Sequence, residues 1–153
     1  MKANELRIGN WVKINDALFN EYYKDDLKTS EFKIKGFNDG SHTEGSQQIL
    51  FWEIEAILGG RSHSGSRDID CEPIPLTEKA IIALGFYDVD DGYEIDDRFL
   101  TLKPEDLEHG CFDVFIMTAG FQRPMYITCI QYVHQLQNLY FALMQKELKY
   151  NQK

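Results

Sequence analysis

Apolar and polar residues alternate along "RIGNWVKI" (7–14), with Val12 and Ile14 on one face and Trp11 and Lys13 on the other. That period of two predicts a short strand, approached through Gly9-Asn10. The alternation breaks across residues 15–30, which read as a loop or excursion with a short helical turn. It resumes in "EFKIKGF" (31–37), with Phe32 and Ile34 inward. A turn-rich "NDGSHTEGS" then leads into "QQILFWEIEAIL" (47–58), read as a strand followed by a second short one. Short strands separated by turn signals predict a small antiparallel β-barrel, SH3-like in size, over residues 1–70. "GGRSHSGSRD" (59–68) reads as a mobile loop closing that domain.

The pattern then changes period. In "CEPIPLTEKAIIALGF" (71–86) Pro73 and Pro75 hold the approach extended, and Thr77 is placed as an N-cap. Leu76 and Ile81 form a hydrophobic staple around it, and Gly85 stands where a left-handed residue ends a helix. "FYDVDDGYEI" reads as a hairpin turning at Asp91-Gly92, with "RFLTL", "CFDVFIMTA" and "MYITCIQY" as further strands. A helix closes the chain from about 132 to 148. Residues 71–153 are therefore expected to form helix, antiparallel meander and helix, which makes the whole chain α+β.

The last helix carries the densest information. On a 100° wheel Tyr132, Val133, Leu136, Leu139, Tyr140, Leu143 and Met144 fill one arc. His134, Asn138, Gln145 and Lys149 fall opposite, with Phe141 at the border. His134 and Asn138 are thus expected on the wet face, where beside Phe141 they could serve a partner. Gln137 falls inside the apolar arc, and a buried amide needs hydrogen-bond partners, expected in the sheet or the other helix backbone.

Composition narrows the function classes. The chain has 153 residues, 43% hydrophobic and 13% aromatic, enough for a real core. No apolar run reaches membrane-spanning length, and "MKANELRIGN" lacks a signal peptide's apolar stretch, so no membrane association is expected. Its three cysteines, Cys71, Cys111 and Cys129, are odd in number and read as reduced structural thiols. Net charge is −9, and between Asp88 and Glu108 nine carboxylates face only Arg98 and Lys103. A basic face for phosphate is missing, which disfavours nucleic acid. That partner would require Arg7, Lys13, Lys33 and Lys35 to gather beside Trp11 or Phe37 for stacking.

No motif carries catalysis. "DVDDGYEIDD" fails as a calcium loop: counted from Asp88, the sixth position is Tyr93 instead of Gly and the twelfth is Phe99 instead of Glu. The histidines, His42, His63, His109 and His134, share no metal-ligand spacing. Cys111 or Cys129 with His134 is the nearest nucleophilic pair, but both thiols lie in apolar strand patterns typical of inert cysteines. The Gly/Ser loop lacks the Lys-Ser/Thr ending of a P-loop. Neither a cofactor nor a metal is expected, and the acidic hairpin reads as a solvated sheet edge.

Three stretches, "KANELRIGNWV", "EPIPLTEKAIIALGF" and "YVHQLQNLYFALMQKEL", together resemble a family of small uncharacterised proteins encoded by phages, prophages and mobile elements of gut anaerobes. The resemblance covers roughly a third of the residues. It implies a cytoplasmic protein of mobile-element origin and implies no activity. Two departures stand out. Residues 15–30 are longer than the family's first hairpin, and "MQKEL" lacks a Gly after "YFAL", so the last helix is expected to run on. Three functions then compete: a non-enzymatic interaction module for a host or phage protein, a nucleic-acid-associated barrel, and a hydrolase or nuclease. The acidic, compact composition favours the first.

Overall fold

A computed structural model describes residues 5–14, 31–39, 50–55, 62–65, 71–95, 99–104, 110–117 and 123–150; at 14, 32, 35–39, 50–55, 62–65 and 71 it describes the backbone alone. The expectations placed on residues 15–30, on His42 and His109, and on Asp96, Asp97, Glu105, Asp106 and Glu108 lie outside these. The fold is α+β. Its chain divides into two compact units, residues 1–74 and 75–153.

The first unit contains β1 (Trp11–Ile14), β2 (Glu31–Asp39), β3 (Leu50–Glu55), β4 (Ser62–Gly65) and β5 (Cys71–Glu72). They form one antiparallel sheet in the order β4-β3-β2-β1-β5. The turn before β1 is built by "RIGN". Gly9 takes φ +98, a left-handed conformation that needs glycine. Asn10, fully buried, accepts from the Arg7 N–H at 2.7 Å through Oδ1. Gly9 and Ile34 then exchange backbone bonds with this turn, Gly9 N–H to the Ile34 carbonyl and Ile34 N–H to the Asn10 carbonyl, both 2.8 Å. The local turn thereby sets the register of β1 against β2.

Trp11 and Val12, neighbours on opposite faces of β1, are both buried. One expectation for this unit is corrected: within the segment read as a mobile loop, Ser62–Gly65 is a strand paired with β3. An edge strand is held by backbone bonds and tolerates a polar sequence, which is why hydrophobic alternation misses it.

The second unit contains α1 (Glu78–Ala83), β6 (Tyr87–Val89), β7 (Gly92–Ile95), β8 (Leu100–Pro104), β9 (Phe112–Ile116), β10 (Met125–Ile130) and α2 (Val133–Met144). Its sheet is an antiparallel meander ordered β10-β9-β8-β7-β6. Helix α1 is fixed at both ends by its own sequence. Thr77 Oγ1 accepts from the Ala80 N–H at 3.2 Å, and Leu76 and Ile81 are both buried. At the other end Gly85 has φ +94, its N–H donates to the Ile82 carbonyl, and the Phe86 N–H donates to the Ile81 carbonyl. That pair of bonds is a Schellman stop, sealed by buried Phe86.

The hairpin turns one residue earlier than expected. Val89 pairs with Gly92, so Asp90 and Asp91 form the turn and Gly92 opens β7. Gly92 is needed there for a packing reason: with φ +152, a Cβ on it would overlap the Leu102 carbonyl of β8.

Tyr93, Leu102 and Val114 stand in one row across β7, β8 and β9, and all three are buried. Glu78, in the first turn of α1, lies near enough to the Tyr93 hydroxyl to act on it electrostatically. Burial, and then the Glu78 carboxylate, raises the Tyr93 pKa above the usual phenol value. Below about pH 10 the folded and unfolded states both hold the proton. Above it the unfolded chain releases the proton first, so this contribution is lost as pH rises through the folded pKa. Denaturant melts between about pH 8 and 11 should therefore fall more steeply for the native chain than for Tyr93→Phe. Equal slopes would remove Tyr93 from the alkaline transition.

Candidate functional site

The cross-strand pairing of the second sheet sets its two faces. Opposite the buried row lies another: Tyr87 pairs Glu94, Glu94 pairs Thr101, Thr101 pairs Phe115 and Phe115 pairs Tyr126. This row crosses all five strands. Aromatic rings stand at both ends, Tyr87 at 46% and Tyr126 at 53% exposure. A parallel row holds Lys103, Asp113 and Cys129.

The rows are ordered by contacts among their own side chains. Tyr126 and Phe115 meet edge-to-face, centroids 5.8 Å apart at 69°. Lys103 Nζ lies 6.0 Å from the Phe115 ring centroid and 3.7 Å from Asp91 Oδ2. At the other end the Tyr87 hydroxyl donates to Glu94 Oε2 at 3.4 Å. The face thus combines aromatic rings, carboxylates and one lysine. Such a surface is suited to recognition; it carries no nucleophile–base pair.

Strand β10 is the outer strand of the sheet, and residues 125–130 contain no charged side chain. Ile127 is the extra residue at a register shift between Tyr126 and Thr128. Just before the bulge, Met125, at 51%, and Tyr126 are both exposed.

Cys111 and Cys129 are joined as a disulfide, with Cα atoms 6.0 Å apart. This corrects the expectation of reduced, separate thiols. Asp113 pairs with Cys129, and Cys111 lies two residues before it on the same face, a diagonal that linear spacing does not reveal. The bond also takes both sulfurs out of any Cys/His nucleophilic pair with His134. Among the described residues no three His, Cys, Asp or Glu side chains converge to hold a metal. No helix among them is long and apolar enough to cross a membrane.

The sequence-chosen binding residues lie elsewhere. Trp11 is only 6% exposed, so it is a core ring and offers no open face. His134, expected in water, is 1% exposed and stacked on Tyr132 at 5.8 Å with an 11° interplanar angle. The wheel scored its ring as polar, whereas the flat face of an imidazole packs like an aromatic one. Asn138 and Phe141 are half-buried. Gln137 is fully buried, and its Nε2 donates to the Leu148 carbonyl at 3.4 Å, in the segment after the helix.

That contact explains a further correction. The helix does not run on: it ends at Met144, and Gln145 takes a left-handed φ of +54, its N–H donating to the Phe141 carbonyl at 2.8 Å. The turn lets Leu148 become buried and supplies an acceptor to Gln137. At the start of the helix Gln135 Oε1 accepts from the N–H groups of Gln131 and Tyr132, at 3.1 and 3.2 Å. The polar residues of "YVHQLQNLYFAL" therefore serve mainly to shape the helix and its ends. The aromatic row was missed because its members come from five strands, and only the pairing register brings them together.

The chain matches no family model, and neither a curated protein nor a solved structure was found to match it.

Proposed function

We propose that the protein is a non-enzymatic interaction module, and that its docking surface is formed by Tyr87 and Glu94 at one end of the aromatic row and Phe115 and Tyr126 at the other, over buried Thr101. The observation that carries this is the pair of exposed tyrosines at the ends of one ordered row. Interfaces are enriched in Tyr, Phe and Met, which present large area at small entropic cost. The mobile-element resemblance supports a host or phage protein as partner. In the first unit, the order β4-β3-β2-β1-β5 supports an SH3-like barrel, since β1 lies between β2 and β5 as such a topology requires. Buried Trp11, and Lys13 held by Glu72 at 3.1 Å, weigh against that unit serving as a nucleic-acid platform.

Affinity capture from bacterial lysate tests the proposal, with nuclease treatment and a salt series as controls. The native chain should retain a protein that survives nuclease and is weakened by salt. The Tyr87→Ala/Tyr126→Ala double variant, altered only at exposed side chains, should lose it. Capture abolished by nuclease would favour nucleic acid, and turnover of a nucleotide or ester panel would establish an enzyme.

A further inference from the structure

We infer that the Cys111–Cys129 disulfide is a reversible thiol-exchange site with a fixed polarity: a small thiol attacks the Cys129 sulfur, and Cys111 is the leaving and resolving group. The inference stands on the placement of the two cysteines and is independent of the docking surface proposed above.

Three features lead to it. First, the two ends of the bond are buried unequally. Cys111 is 5% exposed and belongs to the core, whereas Cys129 is half-buried. Exchange proceeds where an attacking thiolate can reach a sulfur, so access selects Cys129. Second, the attacker must approach in line with the bond it breaks, from the side away from the leaving sulfur. Cys111 immediately precedes β9, and Cys129 lies in β10, the outer strand of the sheet. The line from Cys111 to Cys129 therefore leads outward past β10, and among the described residues no strand lies beyond it. Third, the hairpin has other support than the bond. Phe112 pairs with Ile130 and Ile116 with Met125, and buried Phe112, Val114, Ile116 and Ile130 anchor both strands. The two sulfurs thus stay neighbours after the bond opens.

The step is a single thiol–disulfide exchange. A thiolate forms a bond to Cys129 Sγ, the Cys111–Cys129 bond breaks, and its electron pair leaves on Cys111 Sγ, which takes a proton from water. The attacking sulfur is oxidised and Cys111 is reduced. Return attack by the Cys111 thiolate on Cys129 expels the small thiolate and restores the original bond. A second small thiolate, attacking the outer sulfur of the mixed disulfide, leaves as the symmetrical disulfide and frees Cys129.

The probe is reduced glutathione, added to the air-oxidised full chain at mildly alkaline pH and quenched with iodoacetamide. Peptide mapping then locates each label, and this measurement needs no substitution. Glutathione should be found on Cys129 and carbamidomethyl on Cys111, with the reverse pattern at least about tenfold rarer. Single variants give an independent reading. Glutathione disulfide should modify Cys129 in Cys111→Ser at least about tenfold faster than Cys111 in Cys129→Ser. In urea above the unfolding transition the preference should vanish, because both sulfurs then meet solvent. Labelling chiefly at Cys111, equal labelling of the two, a preference that persists in urea, or no labelling until the chain unfolds would overturn the inference. So would an air-oxidised chain with free thiols at both positions.

Discussion

Gly92→Ala should lower the unfolding free energy by roughly 2–5 kcal/mol, combining backbone strain with overpacking against a rigid neighbour. Two facts make this glycine unlike the others. Its φ of +152 is one that a side chain rarely adopts, and the new methyl would meet the Leu102 carbonyl. That carbonyl is backbone in the central strand β8, so it cannot swing aside as a flexible side chain would. Gly85 supplies the internal control. Its φ is +94, yet a Cβ there meets nothing within 4 Å. Gly85→Ala should therefore cost only the conformational part, about 1–2 kcal/mol. Urea melts of the two variants give the comparison. Equal losses would mean that β6 and β7 move away from β8 without penalty, and that the hairpin is not seated as described.

Local signals in the sequence were legible wherever one segment determines its own shape. Helix α1 is such a case: Thr77, the Leu76–Ile81 staple and Gly85 each act within one turn of chain, and each is found in its expected role. The meander of the second half was legible for the same reason, because alternation survives in β9, where Phe112, Val114 and Ile116 are buried and the residues between them are not. What failed depended on distant partners. The close approach of backbone at Gly92 involves Leu102, ten residues beyond it in sequence. The Cys111–Cys129 bond and the aromatic row depend on register across strands. His134 was misplaced because a wheel assigns one polarity to a side chain that has an apolar face and polar edges.

The stop at Gln145 is the most informative of these failures, because a local cost is outweighed by a tertiary gain. A left-handed non-glycine residue costs about 1–2 kcal/mol. Burying Leu148 contributes roughly 1.5–3 kcal/mol, and the bond from Gln137 adds about 1 kcal/mol. The balance favours the break even without glycine, so the absence of a Gly after "YFAL" does not extend the helix.

That balance leads to a second large effect, in a double-mutant cycle. Leu148→Ala should cost roughly 2–5 kcal/mol as a buried truncation, and Gln137→Ala roughly 1–3 kcal/mol by leaving a buried carbonyl without this donor. The two should not add. Once Leu148 is truncated, the segment after Gln145 loses much of what holds it down, and the Leu148 carbonyl is freed to find water. Removing Gln137 then costs less than it does in the native chain, with a coupling of roughly 0.5–3 kcal/mol. His134→Ala belongs in the same set: its ring is as buried as Gln137, so it should cost more than the half kilocalorie or so of a surface substitution. Additive losses for Gln137 and Leu148, within about 0.3 kcal/mol, would show that the terminal segment docks without regard to the amide. The left-handed turn at Gln145 would then need a different cause.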